Sequence, residues 1–216
     1  MNDLTPVIAV RSGATAAELS PALARNLRIA GVLGFAGLTA VAAHVAIPIQ
    51  PYGIPISLQT LAVSMCALTM GARLGALSMV LYIVLGAVGL PMFAGGESGY
   101  EYVFGQTGGY LAGFVVAQPI VAIIARSQFG SGWLQVGRRG GPIAVCTAVL
   151  AGHVVVLVLG VTWLKLVRDV SGIDVISWSS AWFWGCVVFL PVMFAKAGLA
   201  AIFGPWLIER GRRIGC

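Results

Sequence analysis

Gly-Leu-Pro-Met-Phe-Ala-Gly-Gly at 89–96 and Gly-Gln-Thr-Gly-Gly-Tyr at 105–110 are two glycine-rich blocks in an otherwise strongly apolar chain. They stand between apolar segments long enough to cross a bilayer. Glycine at this density lets the backbone turn sharply and come close to a ligand, which side chains would prevent. Structured loops are also where binding function concentrates. The stretch 89–110 therefore reads as a lid or pocket loop of a membrane protein.

The surrounding composition supports that frame. Of 216 residues, 59% are hydrophobic and only 9% are charged, whereas a soluble domain carries roughly 25% charged residues. Such a chain cannot cover a globule with water-compatible surface. Apolar segments fall at about 27–47, 57–71, 74–90, 108–126, 141–164 and 181–208. At ~20 residues per crossing the length fits six spans. The first ends at Pro48, Pro51 and Pro55, where a helix cannot easily continue. The second is short and ends at Gly71-Ala-Arg73, which points to tilt, a broken helix or a start inside the preceding loop. The predicted fold class is an all-α membrane protein with six transmembrane helices and both termini cytoplasmic. Structured extracytoplasmic loops would cover a ligand pocket. Residues 1–26 read as a disordered cytoplasmic tail without a cleaved signal peptide, 27–208 as the membrane domain, and 209–216 as a second cytoplasmic tail.

Charge sets the orientation. With six spans, Arg11, Arg25, Arg28, Arg73, Arg126, Arg138, Arg139, Arg210, Arg212 and Arg213 share one side, and only Lys165 and Arg168 lie opposite. This asymmetry puts the arginine-rich side in the cytoplasm and the loops at 48–56, 91–107 and 165–180 outside. The net charge of +6 is thus a topology signal. It does not indicate nucleic-acid binding, because the basic residues flank spans and form no single face.

Lys196 is the only charged residue that falls well inside a span. A lysine near the bilayer centre costs about 2.5–3.5 kcal/mol on insertion scales, so such residues are functional candidates by default. An anionic ligand would supply its missing counter-charge; the bland alternative is a snorkelling lysine. His44 and His153 each stand alone in an apolar segment and read as packed core histidines. Cys66, Cys146, Cys186 and Cys216 show neither CxxC nor metal spacing. No metal, cofactor or catalytic set is expected. Small residues four apart, Ala36 with Ala40 and Ala30 with Gly34, form grooves for helix packing, within this chain or against a partner. Near the outward ends, Gln59 and Gln106 stand out among the aromatics because an amide in an apolar setting demands partners.

The ordered motifs Pro55-Ile-Ser-Leu-Gln-Thr-Leu61, Leu81-Tyr82, Gly86-Ala-Val-Gly-Leu-Pro-Met-Phe-Ala94 and Gly105-Gln-Thr-Gly-Gly-Tyr-Leu-Ala-Gly-Phe114 resemble the signature of the BioY family. These are the biotin-binding S components of energy-coupling factor (ECF) transporters. The resemblance covers about 28–208. It implies a multi-pass protein of the bacterial cytoplasmic membrane that captures biotin outside. It would pass biotin inward with a transmembrane coupling protein and two ATP-binding subunits. It implies a partner interface at Ala36 and Ala40. It also implies ligand contacts from the lid and the sixth helix: Lys196, Gln106, Tyr110 and Gln59 as polar or loop-ordering groups, with Phe93 and Met193 lining the ring. Two positions depart from the family pattern. Met193 stands where an aspartate is usual, and Gln106 replaces a proline.

The chain itself has no Walker A motif, so ATP use would belong to partners. The alternatives are an S component for another vitamin or small heterocycle, which the Met193 departure keeps open, and a self-contained ion-coupled transporter. The latter usually needs acidic relays inside the membrane, and none lies in these spans.

Overall fold

The computed structural model describes residues 20–50, 52, 54–126, 141–172 and 175–216. Seven α-helices and one β-hairpin make up this part. Helix α1 (Pro21–His44) starts where the Ser20 side chain accepts a hydrogen bond from the Leu23 N–H and Pro21 occupies the first turn. That start lies a full turn and more before the predicted one at 27.

The proline-rich turn is a short β-hairpin set in the all-α bundle, one of the structured loops. Strands β1 (Ala46–Ile49) and β2 (Ile54–Ser57) pair antiparallel, with Ala46 opposite Ser57 and Pro48 opposite Pro55. Branched Ile47, Ile49, Ile54 and Ile56 favour a pleated strand. Proline, lacking an N–H, is tolerated in a ribbon because both strands are edges.

Helix α2 (Gln59–Ala87) is a hairpin of two helical arms. Gly71 inside it has φ 74° and ψ −171°, a non-helical conformation that is essentially reserved for glycine. The Cys66 Sγ lies 4.0 Å from the Gly75 carbonyl oxygen, and Gln59 Nε2 lies 2.6 Å from the Tyr82 hydroxyl. Along a straight helix, at ~1.5 Å per residue, these pairs would stand roughly 13 and 34 Å apart. The second and third predicted spans therefore run antiparallel, with Gly71 at the turn.

The lid follows, with a short 3-10 turn at Ala94–Gly96 and helix α3 (Tyr100–Phe104). Its glycines at 89, 95, 96 and 99 all take positive φ. The Gly99 N–H donates to the Gly86 carbonyl at 2.8 Å, which anchors the lid on the end of α2. Helices α4 (Gly108–Arg126) and α5 (Pro142–Ser171) supply the fourth and fifth spans. The sixth is broken. Helix α6 (Trp178–Gly185) ends at Cys186, with φ −134° and ψ −60°, and α7 (Leu190–Arg213) begins after a 3-10 turn with Pro191 in its first turn.

Five helical stretches among the described residues are long and apolar enough to cross a membrane, and the second is the α2 hairpin. Its two arms bring the bundle to six spans. The outer surface is apolar, with Leu33, Val41, Ile123, Ile202 and Phe203 exposed, while Gln59, Gln118, His153 and Lys196 are buried. That inversion suits lipid as the surrounding solvent. Both described ends meet at one pole, where Arg28 Nε donates to the Ile214 carbonyl at 2.7 Å. Arg126 caps the first arm of α2 at the same pole by donating to the Ala67 and Leu68 carbonyls. The β-hairpin and the lid lie at the opposite pole. The predicted domain limits at 26 and 208 do not coincide with helix ends, since α1 begins at Pro21 and α7 continues to Arg213. Most of the N-terminal tail, and Arg138 and Arg139, lie outside the described residues.

Candidate functional site

A cavity with about 680 Å³ of empty space, mouth included, lies under the lid between β2, α2, α4, α5 and α7. Ligand pockets are mostly apolar with few placed polar groups. Leu111, Phe114, Val156, Leu157, Phe189 and Met193 form the apolar wall here. The sixth-span break makes part of this wall, because it turns Phe189, Val192 and Met193 toward the cavity. The Gly185 carbonyl at that break receives the Tyr110 hydroxyl at 2.8 Å.

Lys196 lines the cavity and is buried. Its position follows from the helical period: Met193, Lys196, Ala197, Ala200 and Gly204 make the buried face of α7. Its Nζ donates to the Ser57 carbonyl at 2.5 Å and to Thr60 Oγ1 at 2.8 Å. The snorkelling alternative is thereby overturned. Both these partners are neutral oxygens, and an ammonium has three donors. The cation is held in place by β2 and the start of α2.

Gln59 and Tyr110 also line the cavity, yet each is committed to protein partners. The Gln59 amide donates to the Tyr82 hydroxyl and accepts from Ser57 Oγ at 2.7 Å. This pins the β2–α2 junction. Tyr110 fastens α4 to α6.

Two expected lining residues lie elsewhere. Phe93 is fully buried behind the cavity, stacked on Tyr102 at 4.7 Å and edge-on to Tyr82 at 5.7 Å. Large flat rings bury well against one another, so Phe93 backs the wall and Tyr102 faces the cavity. Gln106 also lies outside the lining. Its Oε1 accepts from Arg168 Nη2 at 3.0 Å, and the Arg168 guanidinium covers the Tyr52 ring at 4.6 Å. Trp163 Nε1 donates to the Gly105 carbonyl at 2.8 Å. The lid is thus clasped to α5 and to the β-hairpin. Burial pushes the Tyr102 phenol above its ordinary pKa, which keeps it a protonated donor.

Ala36 and Ala40 are buried in the chain's own core, with Val63, Met70 and Met79 in the same cluster. Small residues mark a packing face, and within this chain that face meets α2. Ser57, Thr60, Tyr102, Thr107 and His153 line the cavity but were not among the expected contacts. Ser57 and Thr60 flank Gln59 in the Pro55–Leu61 motif, so their motif was visible. No local signal marked His153. Among the described residues no His, Cys, Asp and Glu cluster could hold a metal.

The geometry defines a membrane-embedded helical bundle that encloses a small-molecule cavity beneath a structured lid. A family profile described as the BioY family matches residues 14–213, and the chain belongs to that family. It is 36% identical over 174 residues to "Biotin transporter BioY2" of Lactococcus lactis, covering 81% of this chain and 86% of that protein. It is 32% identical over 168 residues to "Probable biotin transporter BioY" of Pyrococcus horikoshii, covering 78% and 88%. Its fold matches the crystal structure of the S-component for biotin from an ECF-type ABC transporter with a TM-score of 0.71. That match has 21% identity and covers 87% of this chain and 93% of the other.

Proposed function

We propose that this protein captures biotin from outside the cell and delivers it inward as the substrate-binding subunit of an ECF-type transporter, with no catalytic activity of its own. The observation that carries this reading is the cavity around Lys196, in a family whose relatives are named biotin transporters. Biotin suits the cavity chemically. Its thioether ring takes the apolar wall of Phe114, Leu157 and Met193, and its anionic or carbonyl oxygens take the Lys196 ammonium. Gln59, Tyr110, Phe93 and Gln106 act through position: they fix the hairpin junction, the α4–α6 contact, the Tyr102 wall and the lid clasp.

The arginine-rich pole faces the cytoplasm by the positive-inside rule, in the bacterial inner membrane. The lid and β-hairpin then face outward, where a scavenged solute arrives. Energy comes from a partner module of a transmembrane coupling protein and two ATP-binding subunits. Ala36 and Ala40 are buried within the chain, while the same helix α1 turns Ala30, Gly34 and Gly37 outward, a small-residue face open to that module.

Uptake of labelled biotin by cells lacking their own transporter tests the reading. Expression of this chain with such a module should give saturable uptake, and an ATPase-dead module should abolish net accumulation. Biotin uptake no higher than in cells without the chain would refute it.

A further inference from the structure

Among the described polar side chains that line the cavity, His153 is the one with a buried nitrogen that has no hydrogen-bond partner. It lies on α5, is only 5% exposed, and lines the cavity opposite the face of α7 that carries Lys196. Its Nδ1 lies 2.8 Å from the Val149 carbonyl of its own helix. A carbonyl only accepts, so Nδ1 carries the proton, and the neutral ring presents Nε2 as a lone pair. That Nε2 is buried and has no hydrogen-bond partner. Buried polar groups are almost always paired, so an exception calls for an explanation. Gln118 Oε1 shares this condition. Gln118, however, lies outside the cavity lining, and its amide is tied to the Val63 and Phe114 carbonyls.

The neighbouring groups define what His153 can contribute. Lys196 has donors only. Met193, in the next turn of the same helix face, offers a thioether, which is a weak acceptor. The Gln59 carbonyl oxygen is taken by the Ser57 hydroxyl, and the Tyr110 proton goes to the Gly185 carbonyl. A ligand with N–H groups must find acceptors in this cavity, and the Nε2 of His153 is a strong one not already engaged.

We infer that His153 is a ligand-reading residue, whose Nε2 accepts a hydrogen bond from an N–H of the cyclic urea of bound biotin. The inference rests on the biotin reading above. A cyclic urea places N–H donors beside a carbonyl acceptor, so a lone-pair nitrogen on α5 and an ammonium on α7 can serve the two kinds of group from facing helices. No charge is added to the membrane interior by this contact. Specificity follows as well. An analogue without the N–H leaves a buried acceptor unpaired, and sites built to pair a polar group reject ligands that lack it.

The test compares the purified wild type with His153→Phe and His153→Gln. Each is titrated with biotin, with desthiobiotin, which keeps the urea and lacks the thioether ring, and with the two mono-N-methyl derivatives of the ureido ring. His153→Phe should weaken biotin and desthiobiotin equally, by about tenfold or more. His153→Gln, which places an amide oxygen near the Nε2 position, should recover most of that loss. One N-methyl derivative should bind the wild type and His153→Phe alike. His153→Phe binding biotin within twofold of the wild type overturns the inference and spares the biotin reading. A wild type that binds no biotin overturns both. Should His153→Phe fail to fold, the wild type decides alone: both N-methyl derivatives binding as tightly as biotin overturns the inference.

Discussion

Replacing Lys196 with methionine keeps the apolar stem and removes the ammonium. Two opposing effects act on stability. The substitution removes a lysine from the membrane interior, a relief of about 2.5–3.5 kcal/mol on insertion scales. It also strips donors from the Ser57 carbonyl and Thr60 Oγ1, which the Nζ reaches at 2.5 and 2.8 Å. Leaving a buried acceptor unpaired costs about 1–3 kcal/mol. These terms are of similar size, so the variant should fold and melt near the wild type in detergent. Ligand binding has no such compensation. A hydrogen bond to a charged group contributes about 1.5–3 kcal/mol, and ~1.4 kcal/mol is a factor of ten in affinity. Lys196→Met should therefore bind biotin about ten- to a hundredfold more weakly, read by calorimetric titration beside a thermal melt of the same sample. A folded Lys196→Met that binds biotin within twofold of the wild type would refute the reasoning, since Lys196 would then serve only to hold β2 against α7.

Three further outcomes follow from the geometry. Tyr110→Phe removes the donor to the buried Gly185 carbonyl and should lower stability by about 1–3 kcal/mol; an unchanged melting temperature would show that another donor replaces it. Gly71→Ala forces a side chain into the φ 74°, ψ −171° turn of the α2 hairpin, which should cost about 1–3 kcal/mol; a melt as high as the wild type's would mean the two arms turn differently. Arg168→Ala unclasps Gln106 and Tyr52, so stopped-flow displacement should show faster ligand release with little change in association, and identical release rates would remove the lid clasp from the account.

The parts of this fold legible in the sequence were those fixed by backbone demands or by charge. The glycines of the 89–99 stretch were readable because positive φ needs glycine. Gly71 was readable as a break between two short apolar segments, and the structure makes it a hairpin turn. Lys196 was readable because a cation in an apolar helix is costly. What stayed hidden depends on which side of a helix faces what. Ala36 and Ala40 have the spacing of a packing groove, but spacing does not say whether the groove meets α2 or another protein. Phe93 belongs to the lid motif, yet Tyr102 stands between it and the cavity. Gln106 was expected near the ligand and instead takes Arg168, a residue 62 positions away. The hairpin at 46–57 was masked by its prolines, which read as a turn. His153 becomes notable only when folding brings α5 beside α7.

The central claim, that the cavity around Lys196 is a biotin site, is tested most directly by calorimetric titration of the purified chain, without any ATP-binding partner. Biotin and a panel of other water-soluble vitamins would be titrated separately. The account predicts saturable one-to-one binding of biotin, tighter than any other vitamin in the panel and sensitive to Lys196→Met. No heat with biotin, or tighter binding of a different vitamin, would contradict it.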